Sequence, residues 1–403
     1  MKAPLARSDR PIGILYVIDT CICPGSSRGG HPGGAEKQLY MLATSLNKEL
    51  FRPVVVQLGA GGAETATRGT AEGAEFLHLP LGRLYGPQGV RGLRRLRGLA
   101  RERRVNIIHT FFEKADVAGW LTARSAGNAL WVSSRRDLGF KKKGIYKAFS
   151  RLTASDCAAC VAVCRAVRDQ VVKDNELPKE KMTVIYNGLE PLQSRDPQAG
   201  KALREELGVQ GNAPLVGMVA NFNFHIKGHK HFLHAAREVT RKMPEVHFVL
   251  VGDGPLRVSF QAMVQEMGIG KRVHFLGTRR DVPTILSGLT VSVLCSTSEG
   301  LSNVVLESMA AAIPVVATNV GGNAELVTDR VTGYLVPPAD AGALAEAVME
   351  ALANPRESRD MALRARLRTE KEFNLQAMVQ KYERLYMSLM GVSSCMKEEP
   401  CHL

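Results

Sequence analysis

The chain has 403 residues, is 45% hydrophobic and 23% charged, and carries a formal net charge of +14. That length and mix fit a folded chain of two or three domains and exclude a disordered or fibrous one. No apolar run approaches the roughly 18–20 residues needed to cross a bilayer. The first apolar segment, Ile12–Ile18, is short and is followed at once by Asp19, so no signal peptide is expected and a cytoplasmic protein is.

Ile12–Ile18 predicts a strand, followed by a Gly-rich loop (Gly25, Gly29, Gly30, Gly33, Gly34) and a helical pattern over 35–47. Apolar runs at 53–58 and 76–79, a helix over 91–104, a strand at 105–109 and a helix over 115–126 continue the alternation. Strand and helix in turn predict a parallel sheet wrapped by helices. A short strand ends on the turn at Asn187 and Gly188, and the polar, turn-rich stretch 191–200 is expected to link two domains. The second half repeats the pattern, with strands expected at 215–220, 247–252, 273–276, 290–294 and 314–317. Helices are expected between them, among them 228–242 and 303–312, so this half is a second doubly wound unit. Residues 340–353 and 374–391 are helical by period, and 393–403 reads as a disordered tail.

The chain has eight cysteines. Cys157, Cys160 and Cys164 have a C-x-x-C-like spacing, but no second paired cluster completes a metal site, so they read as buried free thiols, as do Cys21 and Cys23. Charge is distributed unevenly. Residues 1–195 hold 31 Lys+Arg against 17 Asp+Glu, whereas residues 196–403 hold 22 of each. The whole excess lies in the first half, which points to an anionic partner for one domain only.

The densest chemistry runs from Thr290 to Gly333. A buried strand leads into the polar loop Ser296-Thr-Ser-Glu-Gly-Leu-Ser302, and a helix begins near Ser302 or Asn303. The free N–H groups and the dipole at that helix start favour an anion such as a diphosphate. Gly300 lets a backbone approach a ligand closely. Glu299 before the helix and Glu307 within it would repel a phosphate, but they suit the hydroxyls that flank one. A nucleotide sugar offers that arrangement.

Glu299-x7-Glu307, followed by Pro314-Val-Val-Ala-Thr318 and Gly321-Gly-Asn-Ala-Glu325, resembles the retaining glycosyltransferase family 4 with the GT-B fold. Gly33-Gly-Ala-Glu36, Asn187-Gly188, Lys227-Gly228, Val251-Gly-Asp-Gly-Pro255, and Gly333 with Pro337 fall in that family's order, so the resemblance covers nearly the whole chain. It implies an α/β architecture of two Rossmann-like doubly wound domains facing a central cleft. The expected division is an acceptor-binding domain over 1–195 and a nucleotide-sugar-binding domain over 196–375. A helix over 376–392 is expected to pack back on the first domain.

The resemblance further implies that Glu299 contacts hydroxyls of the transferred sugar and that Glu307 holds the ribose. The amides of Gly300, Leu301 and Ser302, with Asn303 beside them, would meet the sugar or diphosphate. Lys227 would neutralise the leaving diphosphate. Gly33 and Gly34 would bring backbone amides to the donor phosphates. An Arg usual a few residues before the Lys is absent, and Asn223 is nearest in register. After the strand at 105–109 the family carries two histidines one residue apart. Here His109 matches the first and Phe111 replaces the second, so either His109 or Glu113 takes a polar role or the acceptor is oriented differently; a buried structural His109 is the other reading. Arg136 and Asp137 are either acceptor-side or phosphate contacts or a local salt bridge. No D-x-D motif occurs, which agrees with a reaction using neither cofactor nor metal, the nucleotide sugar (UDP-linked by expectation) being a substrate. A dehydrogenase would need G-x-G-x-x-G after the first strand, a spacing that Gly25 to Gly34 do not give. A catalytically degenerate partner subunit and a nucleotide-sugar epimerase of the same architecture are the alternatives.

Residues 91–104 carry seven arginines and one acid, with Leu93, Leu96, Leu99 and Ala100 on one helical face, and Lys141-Lys-Lys143 adds a second basic patch. Such a helix is either a peripheral membrane-surface element, fitting a lipid-linked glycan acceptor in polysaccharide or lipopolysaccharide assembly, or a solvated helix whose leucines face the sheet. No nucleic-acid motif accompanies the charge, so a nucleic-acid partner is not expected.

Overall fold

The computed structural model describes residues 10–19, 33–59, 68–82, 84, 86–140, 142–190, 196–209 and 211–392. By internal contacts it divides into two units. One comprises residues up to 163, 168–188 and the segment from 375 onward; the other comprises 164–167 and 189–374.

The first unit runs β1 (Ile12–Ile18), α1 (Gly34–Ser45), β2 (Phe51–Gln57), β3 (Arg68–Ala71), β4 (Ala74–His78), α2 (Pro87–Glu102), β5 (Ile107–Phe111), α3 (Glu113–Ala126), β6 (Leu130–Arg135), α4 (Gly144–Leu152), β7 (Cys157–Ala162), α5 (Arg165–Lys173) and β8 (Met182–Val184). The second runs α6 (Pro197–Glu206), β9 (Leu215–Val219), α7 (His229–Lys242), β10 (His247–Val251), α8 (Arg257–Glu266), β11 (Val273–Gly277), α9 (Val282–Gly288), β12 (Val291–Leu294), α10 (Asn303–Ala310), β13 (Val315–Thr318), α11 (Asn323–Leu326), β14 (Tyr334–Val336), α12 (Ala341–Ala353) and α13 (Pro355–Glu372). The chain then returns to the first unit as α14 (Leu375–Leu389).

Among the described residues the first sheet has the order β3-β4-β2-β1-β5-β6-β7-β8 and the second β11-β10-β9-β12-β13-β14. All pairings are parallel except β3 with β4. Sheets of this kind are covered on both faces, so their strands are apolar without alternation. β1 illustrates this: residues 14 to 18 are all fully buried. Ile14, Tyr16 and Ile18 pack on one face with Leu39 and Leu42 of α1 and Tyr382 and Tyr386 of α14. Leu15 and Val17 pack on the other with Leu96 of α2 and Ala118 of α3.

Several expectations are corrected. Pro197 to Gly200 do not belong to a linker. Asp196 accepts the Gln198 and Ala199 N–H groups and Pro197 occupies the first turn, so the turn-forming residues start α6. Residues 191–195, the Gly25–Gly30 loop and the tail 393–403 lie outside the described residues. β3 joins β4 through Glu72 and Gly73, both at positive φ (46° and 76°), the geometry of a tight hairpin turn. The leucine face of α2 is turned inward. Leu96 is fully buried, Ala100 is 2% exposed, and Leu93 and Leu99 pack against the same core. α2 therefore offers a lipid surface charge but no apolar face.

His109 is also a core residue. Its ring is wholly buried, with Nδ1 2.7 Å from the Tyr386 hydroxyl and Nε2 2.8 Å from Ser134 Oγ. The Tyr16 hydroxyl lies 3.1 Å from that of Tyr386. Four polar groups thus satisfy one another inside an apolar layer, where an unmet one would cost about 1–3 kcal/mol. Phe111 stacks on the His109 ring at 4.8 Å and is itself 1% exposed. Burial, and secondly the charge of Arg136, lowers the His109 pKa to about 3. The folded imidazole is neutral, whereas the unfolded one takes up a proton near pH 6.5. The unfolded chain therefore binds more protons, and stability falls as pH drops below about 6.5. Denaturant titrations at stepped pH should show that fall. His109→Leu should reduce its slope by up to about 1.4 kcal/mol per pH unit, and an unchanged slope would contradict the assignment.

Candidate active site

In open parallel sheets, ligand groups gather in the loops at the carboxyl ends of strands. In the second unit two such loops, after β9 and after β12, are fastened together. The Thr297 N–H donates to Ile226 O at 2.8 Å, and Cys295 Sγ lies 3.1 Å from Gly228 O. Gly228 has φ 79°, and a Cβ there would stand 1.9 Å from Cys295 O, so only glycine permits the approach. The result is that Lys227 Nζ sits 2.6 Å from Glu299 Oε1, with the two side chains 26% and 11% exposed. Ser296 Oγ donates to the same oxygen at 2.7 Å.

A third segment supports the Glu299 loop from behind. Gly321 has φ 51°, and a Cβ there would lie 1.9 Å from Glu299 O. The Gly322 N–H donates to Gly300 O at 2.7 Å. Thr318 Oγ1 donates to Ser296 O at 2.6 Å, and the buried Asn323 donates to Thr318 O at 3.1 Å. α10 then starts at Asn303, with Ser302 as its cap accepting the Val305 N–H at 3.3 Å. Among the described residues, the N–H groups of Gly300, Leu301 and Ser302 donate no hydrogen bond within the protein. Undonated amides beside the N-terminus of a helix are the kind of group that suits an anion. Glu307 stands on the same helix, half-buried. Asn223 lies apart from this group, beside Gly254, and its backbone N–H bonds to Asn221 Oδ1 at 3.3 Å. The Val251–Pro255 turn is held to that loop by the Phe222 N–H, which donates to Asp253 O at 2.9 Å.

The first unit carries the other candidates. Gly33 caps α1 in extended backbone, with Gly34 as the first helical residue. Glu113 and Arg136 line one polar recess together with Asp137, Lys142 and Gln170. Arg136 bonds to Asn187, and Asp137 accepts the Gly139 N–H at 2.6 Å. In the wall of the recess, Arg135 pairs with Asp116 at 2.6 Å, and Lys142 pairs with Glu176. All four side chains are at most 10% exposed. Pairs buried to this degree fix an arrangement more than they add stability. Phe112, between β5 and Glu113, has φ 74°, a backbone conformation that costs about 1–3 kcal/mol and concentrates at functional sites.

Two participants escaped the sequence reading. Ser296 orients Glu299 from three residues upstream. Asp19, at the carboxyl end of β1, accepts the Lys114 N–H at 3.2 Å, and burial pushes its pKa up to about 7. An acid placed directly after a buried strand was the available signal. Among the described residues, no group of three His, Cys, Asp or Glu side chains converges on one point, and Cys157, Cys160, Cys164 and Cys295 are buried free thiols.

Two family models together match most of the chain: Glycosyltransferase Family 4 over residues 32–191 and Glycosyl transferases group 1 over residues 201–368. A relative from Escherichia coli, UDP-Gal:alpha-D-GlcNAc-diphosphoundecaprenol alpha-1,3-galactosyltransferase, is 27% identical over 72% of this chain and 78% of its own length. Alpha-D-kanosaminyltransferase of Streptomyces kanamyceticus is 31% identical over 52% of this chain. The match spans little more than half, 55%, of that relative. Among solved structures, HepE of Anabaena in complex with UDP and glucose has a TM-score of 0.79 at 23% identity, covering 93% of this chain and 99% of that one. At that identity the likeness concerns the fold.

Gly321→Ala tests whether the loop geometry depends on close backbone contact. It is expected to lower stability by about 2–3 kcal/mol in denaturant titration and to displace the Glu299 loop. A variant as stable as the wild type would show that the approach is not required.

Proposed function

We propose, for a chain that belongs to the glycosyltransferase family 4 and has the GT-B fold, that it moves a sugar from a nucleotide-sugar donor to a glycan or lipid-linked acceptor with retention at the anomeric carbon. Among its relatives, one is described as acting on a diphosphoundecaprenol-linked sugar and another as a lipopolysaccharide core biosynthesis glycosyltransferase, and cell-surface polysaccharide or lipopolysaccharide assembly is the setting proposed here. The observation that carries the reading is the cluster in the second unit: Lys227 paired with Glu299, the undonated Gly300–Ser302 amides at the start of α10, and Glu307 on that helix.

Each group has a role that its chemistry supports. Both hydrogen bonds to Glu299 fall on Oε1, so Oε2 is the oxygen for a hydroxyl of the transferred sugar. Lys227 and the amides of Gly300 to Ser302, with Asn303 beside them, meet the diphosphate, whose charge grows as the glycosidic bond breaks. Fixed donors aimed at developing charge are the largest single source of rate enhancement in such sites. Glu307 accepts from the ribose hydroxyls. Gly33 and Gly34 are assigned to the donor phosphates through their backbone, and Asn223 to the edge of the donor site. On the acceptor side, Glu113 and Arg136 replace His109, whose ring is committed to the core. The donor nucleotide is proposed as UDP because the E. coli relative is described as using UDP-Gal and HepE was solved with UDP. The acceptor hydroxyl approaches from the face that the leaving diphosphate occupies, and the diphosphate is stabilised by Lys227 and amides rather than by a metal ion.

A screen of nucleotide sugars for thermal stabilisation, followed by transfer assays and NMR of the product's anomeric configuration, tests the reading. Lys227→Ala should lower kcat by about 10²–10³-fold, and Glu307→Ala should weaken donor binding by about 1–3 kcal/mol. Donor affinity unaffected by Glu307→Ala would remove Glu307 from the ribose site. Binding of UDP without turnover of any nucleotide sugar would favour the degenerate-subunit alternative. In the same assay, exhaustive chelation of divalent metal is expected to leave kcat unchanged. A loss restored by added metal would overturn the metal-free assignment.

A further inference from the structure

Among the described residues of the first unit, α4 carries the most exposed large apolar side chains. Ile145 is 73% exposed and Leu152 83% exposed, and Phe140 just before the helix is 48% exposed. Ile145, Ala148 and Leu152 recur at spacings of three and four, so they form one stripe along the helix. The opposite side is tied down. Phe149 packs edge-on to Trp120 at 5.5 Å, and the buried Ser150 accepts from Arg135 at 3.1 Å. Lys147, Arg151 and Lys143 follow the edge of the apolar stripe at spacings of four. The first two are held in place by Asp174: Lys147 Nζ is 2.7 Å from its Oδ2, and Arg151 donates to its carbonyl at 2.8 Å. Residues 138–155 contain five Lys and Arg and no Asp or Glu.

Large apolar side chains left in water beside cations, on a stretch whose own residues include no acid, are the signature of a helix lying in a lipid interface. The exposed pair Leu363 and Leu367 on α13 differs, because it is flanked by Asp360 and Glu370. α2, the most basic helix, has spent its leucines on the core. We infer that the outer face of α4, with Phe140, docks the protein on an anionic bilayer surface, the apolar stripe entering the acyl boundary and Lys143, Lys147 and Arg151 meeting lipid phosphates. Lys142, immediately before the helix, lines the recess that holds Glu113 and Arg136. Docking by this face therefore brings that recess next to the bilayer, where a lipid-linked acceptor would present its sugar. That last step rests on the transferase reading. The docking itself does not, so it can fail while donor binding stands.

The test is flotation of the full chain with vesicles of phosphatidylglycerol and phosphatidylcholine, and with phosphatidylcholine alone. The wild type should float with the anionic vesicles only. The triple variant Phe140→Ser, Ile145→Ser, Leu152→Ser should bind at least about tenfold more weakly, while its melting curve confirms that it folds. Arg94→Gln with Arg95→Gln on α2 should retain most of the binding, and Lys143→Glu with Arg151→Glu should lose it. The inference is overturned if the wild type stays with the soluble fraction, or if the triple variant binds as the wild type does. It is also overturned if the triple variant's only effect is to abolish concentration-dependent self-association, which would make this face an interface between copies of the chain.

Discussion

The backbone at Glu299 and Gly300 runs so close to Gly321 and Gly322 that no side chain fits between them. On the other side of the same loop, Gly228 abuts the carbonyl of Cys295 just as closely. Three loops from three strands are thereby stacked without intervening side chains. This stacking sets where Lys227 and Glu299 meet, and it places the Gly300–Ser302 amides at the head of α10. A polar loop standing alone would have to order itself around a ligand, at a backbone cost of about 1–2 kcal/mol per residue. Here the order is built in before a ligand arrives, which is the condition for electrostatic stabilisation of a leaving group.

The donor side was legible because its chemistry is local in sequence. Glu299, Gly300, Ser302 and Glu307 lie within nine residues, after a strand and into a helix, so spacing alone brought them onto one loop and one helix face. The glycines at 228 and 321 were visible as motif positions, but the close contacts that require them were not, since each depends on a carbonyl tens of residues away. The strands of both sheets were also legible, because a strand buried on both faces is an unbroken apolar run. The start of α6 was not, because Asp196 and Pro197 serve equally well in a turn and in a helix cap.

The acceptor side stayed open for the opposite reason. His109 was a reasonable polar candidate at the end of a strand, but its partners, Tyr386 and Ser134, come from α14 and β6. Only the return of the chain to the first unit turns that histidine into a structural group. The basic helix over 91–104 stayed open between two readings in the same way: a stripe of leucines beside arginines reads alike whether it faces a sheet or a bilayer, and only packing decides. Packing gives those leucines to the core and leaves Ile145 and Leu152 outside. Arg135 and Lys142 are buried against Asp116 and Glu176; being neutral pairs, they leave the positive excess of the first half unchanged.

The central claim is that one preorganised loop and one helix of the second unit hold a nucleotide sugar by its sugar, its diphosphate and its ribose. A crystal structure of the protein with a UDP-sugar that stabilises it tests this most directly. The diphosphate is expected at the Gly300–Ser302 amides and Lys227, a sugar hydroxyl on Glu299, and the ribose on Glu307. A nucleotide bound elsewhere, or bound with its ribose away from Glu307, would contradict that claim.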